Sequence, residues 1–203
     1  DVFTYEGIRK LSRILNCPGY VGEQAIIEPL LASHSPFQVK MDQGIYTLTT
    51  VIPPVTLDYE FRLIEERFAP QAVAFGWSFI QETGALPATE RSRLKNELTI
   101  RKHIEAETLF GLFDGEQLLA MASSNRPTAS GVTISYVFTP PKWRKQGIAS
   151  YLVACLSEHL LQQYPMVSLY TDWSNKTSNK IYQAVGFELT GRSMQITKRP
   201  KYQ

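Results

Sequence analysis

Trp143-Arg144-Lys145-Gln146-Gly147-Ile148-Ala149-Ser150 is the stretch on which the reading of this chain turns. Upstream of it, residues 131–139 alternate as a strand does. Val132, Ile134, Tyr136 and Phe138 fall on one face, and Thr133, Ser135, Val137 and Thr139 on the other. Pro140-Pro141 ends that strand. Downstream, Gln146 to Gln163 repeats apolar residues at helical spacing, with Ile148, Leu152, Cys155, Leu156, His159 and Leu160 as the stripe. A loop that opens a helix in this way turns free backbone N–H groups and the positive end of the helix dipole toward an anion. Gly147 and the small Ala149 let a ligand's phosphates come close to the main chain. The stretch reads as a pyrophosphate cradle.

The rest of the chain is organised around that strand–loop–helix unit. Thr108 to Phe113 and Gln117 to Ser124 form a hairpin about Asp114-Gly115, the strongest local hairpin signal present. Before it come a short strand, Phe61 to Ile64, and two helices, Pro70 to Gln81 and Ala88 to Glu105, separated by Gly84 and Pro87. After the cradle helix come a strand from Met166 to Thr171 and a helix from Asn175 to Val185, closed by Gly186 with Phe187 packing back on it. A last strand covers Gly191 to Thr197. A three-strand meander followed by a strand–helix–strand crossover predicts a mixed sheet with helices on its faces, an α/β (α+β) fold.

The N-terminal part reads differently. Helices are expected over Tyr5–Asn16, with Ile8, Leu11 and Leu15 on one face, and over Glu23–Ser33. Cys17-Pro18-Gly19-Tyr20-Val21-Gly22 reads as loop, and Phe37–Met41 and Ile45–Val51 as two strands around Asp42-Gln43-Gly44. Pro53-Pro54 breaks the pattern, and a linker is expected near residues 52–59. This gives a small αβ subdomain over 1–58 and a main domain over 59–203.

Composition sets outer bounds. The chain has 203 residues, 43% hydrophobic and 20% charged, as an ordinary globular protein does. Its net charge of +2 gives no electrostatic footprint for nucleic acid. Residues 1–58 hold 4 Lys/Arg and 6 Asp/Glu, leaving 17 and 13 for the remainder, a slight positive excess compatible with an anionic ligand there. No apolar run reaches membrane-spanning length and no signal-peptide pattern is present, so no membrane partner and a cytoplasmic location are expected. Cys17 and Cys155 fit reduced thiols. His34 and His103 have no carboxylate or cysteine at ligand spacing, and no metal is expected. His159 sits on an apolar stripe as a core histidine would, and Trp77 and Phe75 read as packing residues.

Two motifs carry a resemblance. Arg144-Lys145-Gln146-Gly147-Ile148-Ala149 is similar to the acetyl-CoA signature of the GCN5-related N-acetyltransferases (GNATs), Gln/Arg-x-x-Gly-x-Gly/Ala. Asn175-x-x-Ser178-x-x-x-Tyr182-x-x-x-Gly186-Phe187 is similar to that family's second block. Both appear in the family's order across roughly residues 60–200. Pro18-Gly19-Tyr20-Val21-Gly22, Gln43-Gly44-Ile45-Tyr46, Thr139-Pro140-Pro141, Thr171-Asp172 and Thr177-Ser178-Asn179 also resemble a group of predicted bacterial acetyltransferases with an N-terminal extension, a likeness that fixes no substrate.

The resemblance implies a GNAT-type mixed sheet and an enzyme that moves an acetyl group from acetyl-CoA to a primary amine by direct attack. The acceptor would be a small molecule or a peptide amine, and a homodimer is compatible with it. Backbone groups of Val137, Phe138 and Thr139 would pair with the pantetheine amides. Residues Arg144, Lys145, Gln146, Gly147, Ile148, Ala149 and Ser150 would hold the pyrophosphate, largely through N–H groups, with Arg144 and Lys145 adding positive potential. Asn175 and Ser178 would face the pantetheine arm or the phosphates. Tyr182 is the implied general acid, protonating the departing thiolate. Family members often carry an acidic base on the strand equivalent to 131–139, and this strand has none. Asp172 is then the nearest acidic candidate by topology, with a role as a cap or loop anchor as the alternative. A non-catalytic acyl-CoA sensor or interaction module is the alternative function, and the N-terminal segment is a candidate cover for the acceptor side.

Overall fold

The computed structural model describes Gly7, residues 17–31 and residues 36–199. The helix expected over Tyr5–Asn16 falls outside the described residues apart from Gly7, as does His34. The strands are β1 (Gly19–Glu23), β2 (Phe37–Leu48), β3 (Glu60–Leu63), β4 (Leu109–Asp114), β5 (Gln117–Thr128), β6 (Gly131–Phe138), β7 (Val167–Asp172) and β8 (Glu188–Lys198). The helices are α1 (Gln24–Ile27), α2 (Ala69–Thr83), α3 (Glu90–Glu105), α4 (Ile148–Leu161) and α5 (Lys176–Val185). The strands form one eight-stranded sheet in the order β1-β8-β2-β7-β6-β5-β4-β3. β6 and β7 pair in parallel while β3–β4, β4–β5, β5–β6 and β1–β8 are antiparallel, so the sheet is mixed as expected.

The chain divides into two compact units. The first comprises residues 1–46, 170–179 and 189–203, and the second residues 47–169 and 180–188.

In the first unit the sequence is misread at three places. Gly19–Glu23, expected as loop, is a strand paired with β8 from Gly19↔Thr197 to Glu23↔Ser193. Its glycines look like turn punctuation, but Gly19 is needed for close approach: a Cβ there would sit 2.3 Å from the Ile196 carbonyl oxygen. The two strands expected around Asp42-Gln43-Gly44 are one continuous strand of 12 residues, β2. The helix expected over Glu23–Ser33 is α1 followed by a 3-10 turn over Glu28–Leu31, because Pro29 has no N–H to continue the α ladder. Ile27, Leu30, Phe37, Met194 and Ile196 form a small core here, with Tyr20 edge-on to Phe37 at 5.4 Å.

The second unit follows the sequence pattern closely. Ile64, Phe68, Ala69, Ala72, Ile100, Ile104, Leu109, Phe113, Leu118, Met121 and Phe138 form its core between α2, α3 and the meander. α2 and α3 are joined by the buried Asn96, whose Nδ2 donates to the Val73 carbonyl at 2.9 Å. Thr89 caps α3, its Oγ1 accepting from the Ser92 N–H. α4 starts two residues later than its apolar stripe suggests, at Ile148, because Gly147 is left-handed (φ 78°) and ends the loop.

Candidate functional site

The end of β6 and the loop after it form the first part of the site. The parallel ladder between β6 and β7 runs from Val132↔Val167 to Ile134↔Leu169 and stops. Among the described residues, Ser135 to Thr139 have no strand partner on that side. On the other side β6 pairs with β5 through Ser123↔Ser135 and Met121↔Phe138. Two β6 residues, Tyr136 and Val137, thus stand opposite Ala122 alone, which is a β-bulge. Tyr136 takes φ 52° at this bulge, an uncommon conformation for an aromatic residue. The strict alternation expected for residues 131–139 therefore breaks at Tyr136: Phe138 stays in the core while Val137 is only partly buried.

The loop then turns through two left-handed residues, Lys145 (φ 63°) and Gly147 (φ 78°), with Gln146 between them. Alternation of this kind points successive N–H groups toward one concavity. Among the described residues, the N–H groups of residues 145–150 have no acceptor within the chain; the first α4 bond is from Tyr151 N–H to the Gly147 carbonyl. Among the described residues, no side chain caps this helix start. Arg144 to Gly147 are exposed, and a Cβ on Gly147 would meet only Leu57 Cδ1, at 3.9 Å. The donor set and the open main chain fit a pyrophosphate.

Arg144 has a second job. Its Nη2 donates to both oxygens of Glu82 at 2.7 and 2.8 Å, and its Nε donates to the Thr139 carbonyl at 2.8 Å. The guanidinium ties the loop to α2 and to the end of β6, and its charge is paired. Glu82 carried no signal in the sequence as a partner. Lys145 forms no ion pair among the described residues.

The second block is distributed over both units. Asn175 is the cap of α5: its Oδ1 accepts from the Ser178 N–H at 3.1 Å and its carbonyl from the Asn179 N–H. Asp172 Oδ1 accepts from the N–H and hydroxyl of Ser174 at 2.7 and 2.6 Å, the turn-anchoring geometry. In the second unit Tyr182 is buried, 6.1 Å edge-on to Phe187, and the Phe187 N–H donates to the Tyr182 carbonyl. Burial pushes its phenol up to about 12, so it holds its proton at any physiological pH.

A further set of polar side chains, not anticipated from the sequence pattern, gathers on the sheet face beside the bulge. Ser123 and Ser135 hydroxyls are 2.9 Å apart, and Asn125 Nδ2 donates to Ser135 Oγ at 2.5 Å. His103, near the end of α3, has Nδ1 2.8 Å from Thr108 Oγ1 and its ring 6.0 Å from that of Tyr136. Phe79 of α2 packs on the other part of Tyr136 at 5.2 Å. Burial holds the His103 imidazole below its usual 6.5 and raises the Tyr136 phenol. The available signal was polar: Ser123-Ser124-Asn125 ends an otherwise apolar strand, and such residues inside a sheet need partners.

The fold has counterparts among known proteins. Residues 109–196 match the family model of FR47-like protein. Among solved structures, a GNAT-family acetyltransferase from Colwellia psychrerythraea superposes with TM-score 0.69 at 18% identity, over 89% of this chain and 65% of its own. A GCN5-related N-acetyltransferase from Sphaerobacter thermophilus gives 0.62 at 18% identity, over 97% and 66%. A predicted acetyltransferase with acetyl-CoA from Clostridium acetobutylicum gives 0.52 at 16% identity, over 65% and 91%. This chain thus spans about two thirds of the length of the first two. No curated protein sequence matches it. The chain has the GNAT fold, with its FR47-like segment running from β4 into β8. Among the described residues no helix is long and apolar enough to cross a membrane.

Proposed function

We propose that this protein is an acetyl-CoA-dependent N-acyltransferase acting on a primary amine by direct attack. The observation that carries this reading is the run of unpaired N–H groups from Lys145 to Ser150, opening α4 in a chain with the GNAT fold. A thioester cosubstrate supplies an acyl carbon open to attack by an amine. Residues 145–150 hold its pyrophosphate through main-chain N–H groups. The β6 edge at Val137, Phe138 and Thr139, free of a strand partner on the β7 side, offers main-chain groups to the pantetheine amides. Tyr182 keeps its proton and gives it to the departing sulfur. Asn175 and Ser178 contribute through the start of α5, which Asn175 caps.

Thermal unfolding with increasing acetyl-CoA tests the binding step, because a ligand of the folded state alone raises the midpoint with concentration. A rise with acetyl-CoA, together with CoA release on adding a primary amine, supports the assignment. Binding without thioester cleavage by any amine would make the protein an acyl-CoA sensor instead.

A further inference from the structure

We infer that His103 is the general base of this site, its Nε2 taking the proton that a primary-amine acceptor sheds as its nitrogen attacks the thioester. This rests on the acyl-transfer reading above and supplies the base that β6, with no acidic residue, lacks.

The argument begins with the hydrogen-bond pattern. Thr108 Oγ1 lies 3.2 Å from the His103 carbonyl and 2.8 Å from His103 Nδ1. A hydroxyl has one proton to give. A carbonyl only accepts, so that proton goes to it, and Thr108 Oγ1 then accepts from Nδ1–H. Both contacts are satisfied together only in the tautomer with the proton on Nδ1. The lone pair is left on Nε2, which has no hydrogen-bond partner among the described residues. Thr108 thus acts as a positioning residue.

Location supports the same role. The His103 ring stands edge-on to Tyr136, the bulge residue, and Tyr136 is chain neighbour to Val137, where the free β6 edge would hold the acyl arm. Thr108 is itself fixed to the sheet, its carbonyl accepting from the Ser124 N–H. Next to Ser124, Asn125 gives Nδ2 to Ser135, which fixes the polar cluster on this part of the sheet. The neutral imidazole needed at pH 7 is favoured by burial, the one cause of its lowered proton affinity. Tyr136 on β6 is the titratable group packed against it, and Thr108 before β4 is its polar partner.

The step balances. The acceptor nitrogen forms a C–N bond to the acyl carbon, the C–S bond breaks, and the nitrogen's proton passes to Nε2. The thiolate takes the Tyr182 proton, the imidazolium later returns its own to solvent, and the Tyr182 phenolate regains a proton from solvent. One amine and one thioester give one amide and one thiol.

The test uses the whole chain, acetyl-CoA, and ethylamine at high concentration as a minimal acceptor. His103→Gln should retain the acetyl-CoA thermal shift and lower ethylamine-dependent CoA release by about 10²-fold or more. The imidazole limb of the pH–rate profile should disappear with it. Added imidazole should restore part of the rate in His103→Ala. Thr108→Val, which frees Nδ1, should shift that limb with a fall in kcat and little change in KM. Nitrogen NMR of the imidazole should show the proton on Nδ1. If acetyl-CoA gives no thermal shift in the wild type, the acyl-CoA reading fails first and this inference with it. With binding intact, no protein-dependent CoA release would remove the acyl-transfer reading and this inference with it, whereas a proton on Nε2 or an unchanged His103→Gln profile would overturn the His103 role alone.

Discussion

Two helices of the second unit begin in opposite ways. α3 closes its own start: Thr89 Oγ1 accepts from the Ser92 N–H and lies 2.9 Å from the Ser92 hydroxyl. α4 follows a left-handed glycine and, among the described residues, has no side-chain cap and no acceptors for its first N–H groups. Both occur in ordinary helical sequence, so propensity does not separate them. What separates them is where the chain spends its polar groups. A helix whose start is capped by its own side chain is scaffold, whereas one whose donors are left uncapped over an accessible loop has them available for an anion.

The sharpest way to break that contrast is Gly147→Glu. It puts a side chain and a negative charge where the donors converge, and it forces an L-residue into the left-handed region at a cost of about 1–2 kcal/mol. The acetyl-CoA thermal shift should vanish. Gly147→Ala separates the two effects, because its Cβ would meet nothing nearer than 3.9 Å. It should be destabilised by a similar amount and still respond to acetyl-CoA. Loss of the response in both variants would show that strain, and not occlusion, abolishes binding.

Tyr182→Phe comes next. With the phenol as proton donor, turnover should fall by about 10²-fold while the thermal shift with acetyl-CoA persists. The phenol also leaves a mark on stability. Its folded-state value, near 12, is above the unfolded 10, so the stability it confers is complete below about pH 10 and is lost as pH rises through about 12. Urea unfolding of the Phe variant should lack that alkaline loss. Equal turnover in the two proteins would remove Tyr182 from the chemistry.

Thr89→Ala probes the scaffold side of the comparison. Loss of the cap should cost about 1 kcal/mol of stability by urea unfolding and leave acetyl-CoA binding unchanged.

These predictions also show what could be read from the chain beforehand. The open start of α4 was legible because it is built from consecutive main-chain groups, and a glycine in a strand–loop–helix pattern marks it. The meander and the α4–β7–α5 crossover were legible because their apolar periods change cleanly at Pro140-Pro141 and Gly186. β1 was not, because Gly19 and Gly22 look like turn residues, and the reason for Gly19, close approach of β8, is non-local. The His103 cluster was hidden for the same reason. Its members come from α3, the start of β4, β5 and β6, and the bulge that brings Tyr136 onto His103 depends on pairing that no local pattern reports.

Arg144, in the loop before α4, gives the smallest expected effect. The sequence motif makes it a phosphate ligand, yet its Nη2 donates to both Glu82 oxygens and its Nε to the Thr139 carbonyl. Both partners of the ion pair are partly exposed, so the pair itself contributes about 0–1 kcal/mol. Its value lies in holding the loop between β6 and α4 in the shape that leaves the N–H groups open. Glu82→Gln removes the opposing charge but keeps a hydrogen-bond acceptor for Arg144. If main-chain donors dominate binding, acetyl-CoA affinity measured by calorimetry should change by less than about threefold, well under 1 kcal/mol. A tenfold gain would mean that Arg144, once released, binds phosphate directly and that Glu82 restrains it. A tenfold loss would mean that the clamp is what keeps the cradle open.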